Sequence, residues 1–372
     1  MEPKILPLKG LEHVRRKPGM YIGRTDEANE CVFELISNSL QEHFEGRGNR
    51  ITITLHDDES LSVTDEGGGI SVALDEKSQI PFVELAMTHL FVPSHWRKRP
   101  YDLGLCGVGT KCVNAVSEWM RINTVWEGSE YQIGFARGGV SEPLTKLPKA
   151  ERASGTSIRF KPDASIFRST SFNRDYLNDR LDQLAVLHPK LSIVLADERP
   201  NVSGQPLASL FHYPDGIRGY LRRYSHPQAH YWEPVVVLDG DVDGVKIALG
   251  FEFLDFGNPW IVSYVNSSPT VSGGTHVEGM LESLAKKINE LAGKDRGFSL
   301  EDVRVNVTAF VAVWLAEPKY GGATKNKIIN PEVETAVKEL TMRGLDEWPG
   351  ERPDRFIDWL EERRVGLKRE EE

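Results

Sequence analysis

Apolar positions between residues 27 and 42 repeat with the period of an α-helix, about 100° per residue. The opposite side of the same helical wheel is polar. The pattern therefore predicts an amphipathic helix that buries one face and presents the other to a cavity or to solvent. The apolar side holds Val32, Phe33, Leu35, Ile36 and Leu40, and the polar side holds Glu30, Glu34, Asn38 and Gln41.

Residues 51–55 and 61–64 alternate between apolar and polar side chains around a turn-forming Asp-Asp-Glu-Ser segment. This period of two predicts a β-hairpin. Asp65 then lies at the end of the second strand and is followed by Gly67 and Gly69.

A third segment, residues 104–109, is rich in glycine and precedes an apolar-periodic run over residues 112–116. We expect it to open a helix whose free backbone N–H groups point at an anion, and phosphate is the favoured guest.

These residue types suggest the chemistry of a nucleotide pocket. Glu34 and Asn38 are four positions apart on one helix face, where a carboxylate can activate water and a carboxamide can complete a magnesium shell. A buried Asp65 can accept a hydrogen bond from an exocyclic amine, and the glycines after it let the backbone approach a flat base. Taken singly, each feature is also typical of a solvated helix face or an ordinary turn.

Two other phosphate-binding motifs are excluded. The spacing of Gly104 and Gly109 matches a P-loop, but Thr110 and Lys111 follow where Lys and Ser/Thr are required. Neither glycine cluster reads G-x-G-x-x-G after a strand, so a dinucleotide fingerprint is absent. The acidic run 239–244 lacks the acid that a calcium loop needs at its twelfth position, which is Gly250, and is interpreted as a hairpin turn.

The ordered motifs resemble the GHKL ATPases, and within them the ATPase region of the B subunits of DNA gyrase and topoisomerase IV. Residues 8–23 are similar to the opening of those subunits, and the resemblance continues through residues 273–276 to residues 319–327. It implies an α+β fold: a GHKL (Bergerat) α/β sandwich followed by a transducer domain with a ribosomal-protein-like βαβ fold.

The resemblance also implies roles for matching residues, with ATP and Mg²⁺ as the cofactors. Glu34 is the general base, Asn38 the magnesium ligand, and Lys325 a catalytic cation that reaches the γ-phosphate. Asp65 and Thr156 contact adenine, with Gly67, Gly69 and Ile70 beside them. The phosphates are wrapped by Gly104, Leu105, Cys106, Gly107, Val108, Gly109 and Thr110.

Several positions depart from the family pattern. Glu30 replaces a histidine on the same helix face as Glu34, where two nearby carboxylates disfavour joint ionisation. Ala323 replaces a glutamine in the loop that carries Lys325. Gly68 and Gln132 stand where the resemblance places arginines at the pocket rim, so the rim is expected to lack a guanidinium. The stretch before Leu8 is short for an arm that straps a dimer.

Composition and charge argue against several kinds of protein. The chain has 372 residues, three cysteines and a formal net charge of −10, which argues against a disulfide framework and against generic DNA binding. No apolar run approaches membrane-spanning length, and a cytoplasmic protein is expected.

The expected domains are a GHKL ATPase domain over residues 1–205, a transducer over 206–345 and a C-terminal helical tail over 346–372, with a lid near residues 91–102. The implied function is an ATP-hydrolysing, nucleotide-gated homodimer clamp, as in the B subunit of a type IIA topoisomerase, with DNA and a separate cleavage subunit as possible partners and no membrane. The alternative is a non-hydrolytic ATP-sensing interaction module, favoured by Glu30, Ala323 and the short arm.

Overall fold

The computed structural model describes residues 11–90, 108–200, 207–224, 235–254, 259–293, 296–322, 325–346, 348–350 and 352–370, with side chains up to residue 364. The expected lid at residues 91–102, the phosphate-loop residues Gly104 to Gly107, and Ala323 lie outside the described residues. The chain divides into two units, Met1–His212 and Tyr213–Glu372.

The first unit combines helices with a mixed sheet whose strand order is β5-β4-β3-β6-β2-β1-β7-β8. The elements in chain order are α1 (Glu12–Arg16), α2 (Gly19–Ile22), α3 (Asn29–Phe44), β1 (Arg50–Leu55), β2 (Leu61–Asp65), α4 (Phe82–Thr88), α5 (Gly109–Val116), β3 (Ser117–Trp126), β4 (Ser129–Ala136), β5 (Gly139–Lys146), β6 (Thr156–Pro162), α6 (Arg174–Val186), β7 (Ser192–Asp197) and β8 (Leu207–Phe211).

The central strands of this sheet alternate between buried and partly exposed positions, as in β1, β6 and β7. Alternation of this kind means that one face carries the core and the other is only partly covered. Helix α3 packs on β2, α5 on β3 and β4, and α6 on β7 and β8. The arrangement is an α/β sandwich with its core between the helix layer and the sheet.

The structure contains the predicted β-hairpin, and it contains the predicted amphipathic helix as α3. β1 and β2 pair antiparallel with Ile51 opposite Asp65, so Asp65 is the last residue of its strand. Helix α3 begins two residues after the predicted start and buries the apolar stripe, including Val32, Leu35 and Ile36.

The second unit has a sheet of order β12-β11-β13-β10-β9. Its elements are α7 (Gly216–Tyr224), β9 (Val236–Val242), β10 (Val245–Phe253), β11 (Ile261–Val265), β12 (Ser268–Pro269), α8 (Thr275–Ala292), α9 (Leu300–Arg304), β13 (Val307–Trp314), α10 (Pro331–Gly344) and α11 (Pro353–Glu370).

A βαβ arrangement forms the centre of this unit. β11 and β13 pair in parallel, and α8 lies between them in the chain. Every residue of β13 is buried, because α8 contacts this strand and α7 also contacts it. The acidic run 239–244 is the β9–β10 hairpin, whose turn residues Asp243 and Gly244 both have positive φ, +51° and +81°.

Two expected boundaries are corrected. The first unit extends to His212 rather than ending at residue 205, because β8 pairs with β7 of the first sheet. The expected tail 346–372 is helical over α11, but it is no separate domain: Trp348, Phe356 and Trp359 pack against Phe253 in the core of the second unit.

None of the described helices combines the length and apolar character needed to cross a membrane.

Burial of His276 predicts a pH dependence of stability. His276 is fully buried in α8, with its Nε2 3.1 Å from Thr270 Oγ1, and burial lowers its pKa from 6.5 to about 3. Between those values the unfolded chain binds a proton that the folded chain excludes. The free energy of unfolding therefore falls on acidification below pH 6.5, by roughly 1.4 kcal/mol per pH unit, and is unaffected by this group above it.

Urea denaturation at pH 7 and pH 5 measures the effect. His276→Gln removes the titrating ring, so the variant should lose about 2 kcal/mol less than the parent on acidification. His89→Gln, at an exposed position, is the control and should behave as the parent does. Equal acid sensitivity of His276→Gln and the parent would contradict the assignment.

Candidate nucleotide site

A cavity of about 270 Å³ lies in the first unit between α3 and the end of β2. It runs from buried polar groups at its inner end to charged side chains at its mouth. Five of the sequence-predicted residues line it: Asn38, Asp65, Gly69, Ile70 and Thr156.

Asp65 is fixed at the inner end by three donors. Its Oδ1 accepts from the backbone N–H groups of Gly67 at 2.9 Å and Thr156 at 3.1 Å, and its Oδ2 accepts from Ser39 Oγ at 2.8 Å. Only 8% of the residue is exposed, and burial raises the pKa of its carboxyl group despite these donors. A carboxylate held this way has a set orientation and remaining acceptor capacity toward the cavity, which suits an exocyclic amine.

The glycine segment after Asp65 brings the backbone close to β3. Gly69 has φ +77°, and a Cβ there would lie 1.9 Å from the carbonyl oxygen of Val125, so no other residue fits. The next backbone N–H, of Ile70, donates to Thr124 Oγ1 at 2.7 Å. Gly67 acts on the cavity through its hydrogen bond to Asp65, whereas Gly69 and Ile70 form part of the wall.

Nearer to its own N-terminus, α3 contacts the N-terminus of α5. The carboxylate of Glu34 lies so close to Gly109 that a Cβ on this glycine would be 2.0 Å from Glu34 Oε2. Asn38 Nδ2 donates to Thr110 Oγ1. Val108, the N-cap of α5, has no side-chain acceptor for the first N–H groups of the helix. These N–H donors and the helix dipole suit a bound anion, and the carboxylate of Glu34 would lie beside that anion.

The donors here fit a magnesium ion that is bound mainly through a nucleotide. Asn38 donates to Thr110 through its amide nitrogen, so its amide oxygen is not used in that hydrogen bond. Mg²⁺ prefers oxygen ligands of this kind. It usually keeps several water molecules and substrate phosphates as its other ligands. Among the described residues there is no cluster of three or more His, Cys, Asp or Glu that could hold a metal with protein ligands alone.

Glu30 does not share the environment of Glu34. Its Oε1 accepts from the hydroxyl of Tyr176 and lies 3.6 Å from Arg180 Nη1, both on α6. Burial, together with the interaction with Glu30, raises the pKa of Tyr176 to about 12. The expected repulsion between two pocket carboxylates is therefore replaced by a link between α3 and α6.

The rim differs from the sequence-based expectation. Gln132 is not part of the cavity wall: its Nε2 donates to Asn123 Oδ1 at 3.2 Å across the β3–β4 pair. Trp126, the last residue of β3, lines the cavity instead. Gly68 does lie at the rim, but Arg47 lies beside it, so a guanidinium is present after all.

Sequence reasoning also missed Ser39 and Glu42. Both lie on α3 and line the cavity, Ser39 as a donor to Asp65 and Glu42 as an acceptor from the N–H of Gly68 at 2.8 Å. Glu42 is at i+4 and i+8 from Asn38 and Glu34, a spacing that could have identified it.

Lys325 belongs to the second unit, where its Nζ lies 5.7 Å from the ring of Tyr320 and its φ is +56°. The role that the resemblance gives it stays a prediction.

Two family models match the chain. Residues 23–166 match "Histidine kinase-, DNA gyrase B-, and HSP90-like ATPase", and residues 216–362 match "DNA gyrase B". With the sandwich and the cavity described above, the first match places the first unit among the GHKL ATPases.

Full-length comparisons are more specific. The chain is 33% identical to the B subunit of DNA gyrase from Clostridium acetobutylicum over 95% of its own length and 56% of the relative, and 36% identical to the B subunit of DNA topoisomerase 4 from Staphylococcus aureus over 91% and 52%. It thus spans about half the length of these relatives. The 43K ATPase domain of Thermus thermophilus gyrase B, solved in complex with an aminocoumarin, superimposes with a TM-score of 0.76 at 30% identity, covering 98% of both chains.

The chain belongs to the gyrase B and topoisomerase IV B family of GHKL ATPases. The predicted α+β fold, a GHKL sandwich followed by a transducer domain, is confirmed.

Asp65→Asn should weaken nucleotide binding by roughly tenfold to a hundredfold. The amide would set a donor against the N–H groups of Gly67 and Thr156 or against an incoming amine, and a mismatched buried donor costs about 1–3 kcal/mol. Calorimetric titration with a non-hydrolysable ATP analogue measures the loss. Asp26→Asn, at an exposed ion pair, is the matched control, and equal affinities of the two variants would contradict the role of Asp65.

Proposed function

We propose that this chain binds ATP with Mg²⁺ in the cavity of the first unit and hydrolyses it, with Glu34 as the general base. We further propose that hydrolysis drives a nucleotide-gated dimer clamp, as in the B subunit of an ATP-dependent type IIA topoisomerase.

One observation carries the proposal: a single helix, α3, contributes to both ends of the proposed nucleotide site. Ser39 on this helix holds Asp65, and Glu34, five residues earlier, lies against Gly109 at the start of α5. A base-recognition group and a phosphate-binding helix terminus are thus positioned by one rigid element, with Asn38 between them.

At the reactive end, Glu34 accepts a proton from a water molecule as that water attacks the γ-phosphorus. The bond between the γ-phosphorus and the bridging oxygen breaks, and the products are ADP and inorganic phosphate. Negative charge on the phosphoryl oxygens is stabilised by the N–H groups at the N-terminus of α5, which are oriented before the reaction begins. Thr110 holds the carboxamide of Asn38 in place.

Magnesium, when bound with the nucleotide, supplies positive charge that neutralises the phosphates. Asn38 is the residue that would hold it. At the other end, Asp65 accepts from the exocyclic amine of adenine and Thr156 lies beside it, which favours adenine over bases that present a carbonyl there.

The names of the relatives support the wider role, and DNA and a separate cleavage subunit are the proposed partners. The net charge of −10 argues that any DNA contact is local or made through a partner.

A non-hydrolytic sensor is the second candidate. Glu30 favoured it as a possible disturbance of the catalytic carboxylate, but the contacts of Glu30 with Tyr176 and Arg180 remove that support. The geometry of Glu34 against α5 favours hydrolysis.

Glu34→Gln should reduce phosphate release by at least about a hundredfold while leaving the affinity for a non-hydrolysable ATP analogue within a few-fold of the parent, because the base acts on water rather than on the nucleotide. Steady-state phosphate release and calorimetry test the two halves. Glu30→Gln, one helical turn earlier, is the matched control and should retain turnover. Parental turnover by Glu34→Gln would show that another group is the base.

Nucleotide should also promote a two-fold dimer. Light scattering with and without a non-hydrolysable ATP analogue should show the mass double when the analogue is present, and Asp65→Asn should need more analogue for the same change. A monomer under both conditions, at concentrations where the analogue is bound, would contradict the clamp and favour the sensor.

A further inference from the structure

Arg47 lies at the mouth of the nucleotide cavity, just beyond the end of α3. Its guanidinium is held in one orientation by two carboxylates. Nε and Nη2 donate to the two oxygens of Glu42 at 2.6 and 2.9 Å, and Nη2 also donates to Glu45 at 2.5 Å. A bidentate pair of this kind fixes the plane of the guanidinium as well as its position.

Gly68 provides the space that Arg47 occupies. A Cβ at Gly68 would lie 3.0 Å from both Cδ and Nε of Arg47 and 3.3 Å from Glu42 Oε2. The backbone N–H of Gly68 donates to the same carboxylate oxygen of Glu42 at 2.8 Å. Arg47, Glu42 and Gly68 therefore form one packed group at the rim, and a larger side chain at 68 would displace the arginine.

The group is part of the cavity rather than of the outer surface. The side chain of Arg47 is 30% exposed and that of Glu42 is 22% exposed, and both line the same cavity as Asp65. A flat ring whose amine reaches Asp65 extends from the buried end toward this rim. A planar cation over the face of an aromatic ring is attractive, and Arg suits this contact better than Lys because its charge is delocalised over a plane.

We propose that Arg47 is a further nucleotide-binding residue that covers the face of the bound purine, and that the absence of a side chain at Gly68 provides the space for it. The inference rests on the proposed ATP site. The contact with the purine face at this rim is thus assigned to a guanidinium just beyond the end of α3, and not to the glycine segment after Asp65.

The test compares adenosine, which is uncharged, with ATP. Arg47→Ala and Arg47→Lys are titrated with each ligand by calorimetry, and Arg121→Ala, at another arginine–glutamate pair on the sheet, is the matched control. Both Arg47 variants should lose about five- to tenfold in affinity for adenosine and the same factor for ATP. The side chain introduced by Arg47→Lys can still pair with Glu42. A loss of adenosine affinity in this variant therefore reports the missing planar guanidinium and not an unpaired carboxylate.

A loss confined to ATP would overturn the proposal, because Arg47 would then act only as a charge near the phosphates. Parental adenosine affinity in Arg47→Ala would overturn it as well. Arg47→Ala combined with Gly68→Arg should regain part of the loss, and a double variant no better than Arg47→Ala would show that a guanidinium at position 68 cannot take over the contact.

Asp65→Asn separates this inference from the proposed function. If Asp65→Asn weakens adenosine binding and Arg47→Ala does not, only the role of Arg47 fails. If neither change affects binding, the cavity is not the nucleotide site.

Discussion

The packing of α3 against the N-terminus of α5 is the constraint on which the candidate site depends. Glu34 can stand beside the first N–H groups of α5 only because Gly109 has no side chain, since a Cβ there would lie 2.0 Å from the carboxylate. One turn further along α3, Asn38 donates to Thr110 of α5 and so extends the same interface. This contact puts the carboxylate proposed as the general base beside the N–H groups proposed to hold the phosphates.

The rest of the site depends on α3 being one uninterrupted helix from Asn29 to Phe44. A helix rises about 1.5 Å per residue, so the five residues from Glu34 to Ser39 separate the catalytic carboxylate from the partner of Asp65 by roughly 7–8 Å along the axis. Ser39, the N–H of Gly67 and the N–H of Thr156 converge on Asp65 from three elements of the first unit. The nucleobase end and the phosphate end of the site are therefore held at a set separation by the backbone of α3.

Much of this could be predicted from the sequence, because local patterns encode it. The stripe on α3, the hairpin ending at Asp65 and the helix that begins at Gly109 all follow from short-range signals, and the described residues of these elements lie around one site. The rim could not be predicted in the same way. Arg47 reaches it from beyond the helix end, and Trp126 reaches it from the last residue of β3, so their proximity depends on tertiary packing.

The surroundings of Glu30 and Gln132 also depend on tertiary packing. Glu30 shares a helix face with Glu34, but α6 supplies Tyr176 and Arg180 as its partners, and α6 lies far away in the chain. The resemblance puts Gln132 at the rim, whereas its side chain donates to Asn123 across the strand pair. Periodicity gives the direction of a side chain from its own element, but not the identity of the element that packs against it.

The most direct test of the proposed site is a crystal structure of this chain with Mg²⁺ and a non-hydrolysable ATP analogue. We expect the adenine amine within hydrogen-bond distance of Asp65, the phosphates at the N-terminus of α5, and a water between Glu34 and the γ-phosphate. An analogue bound elsewhere, or bound with its terminal phosphate remote from Glu34, would contradict this assignment.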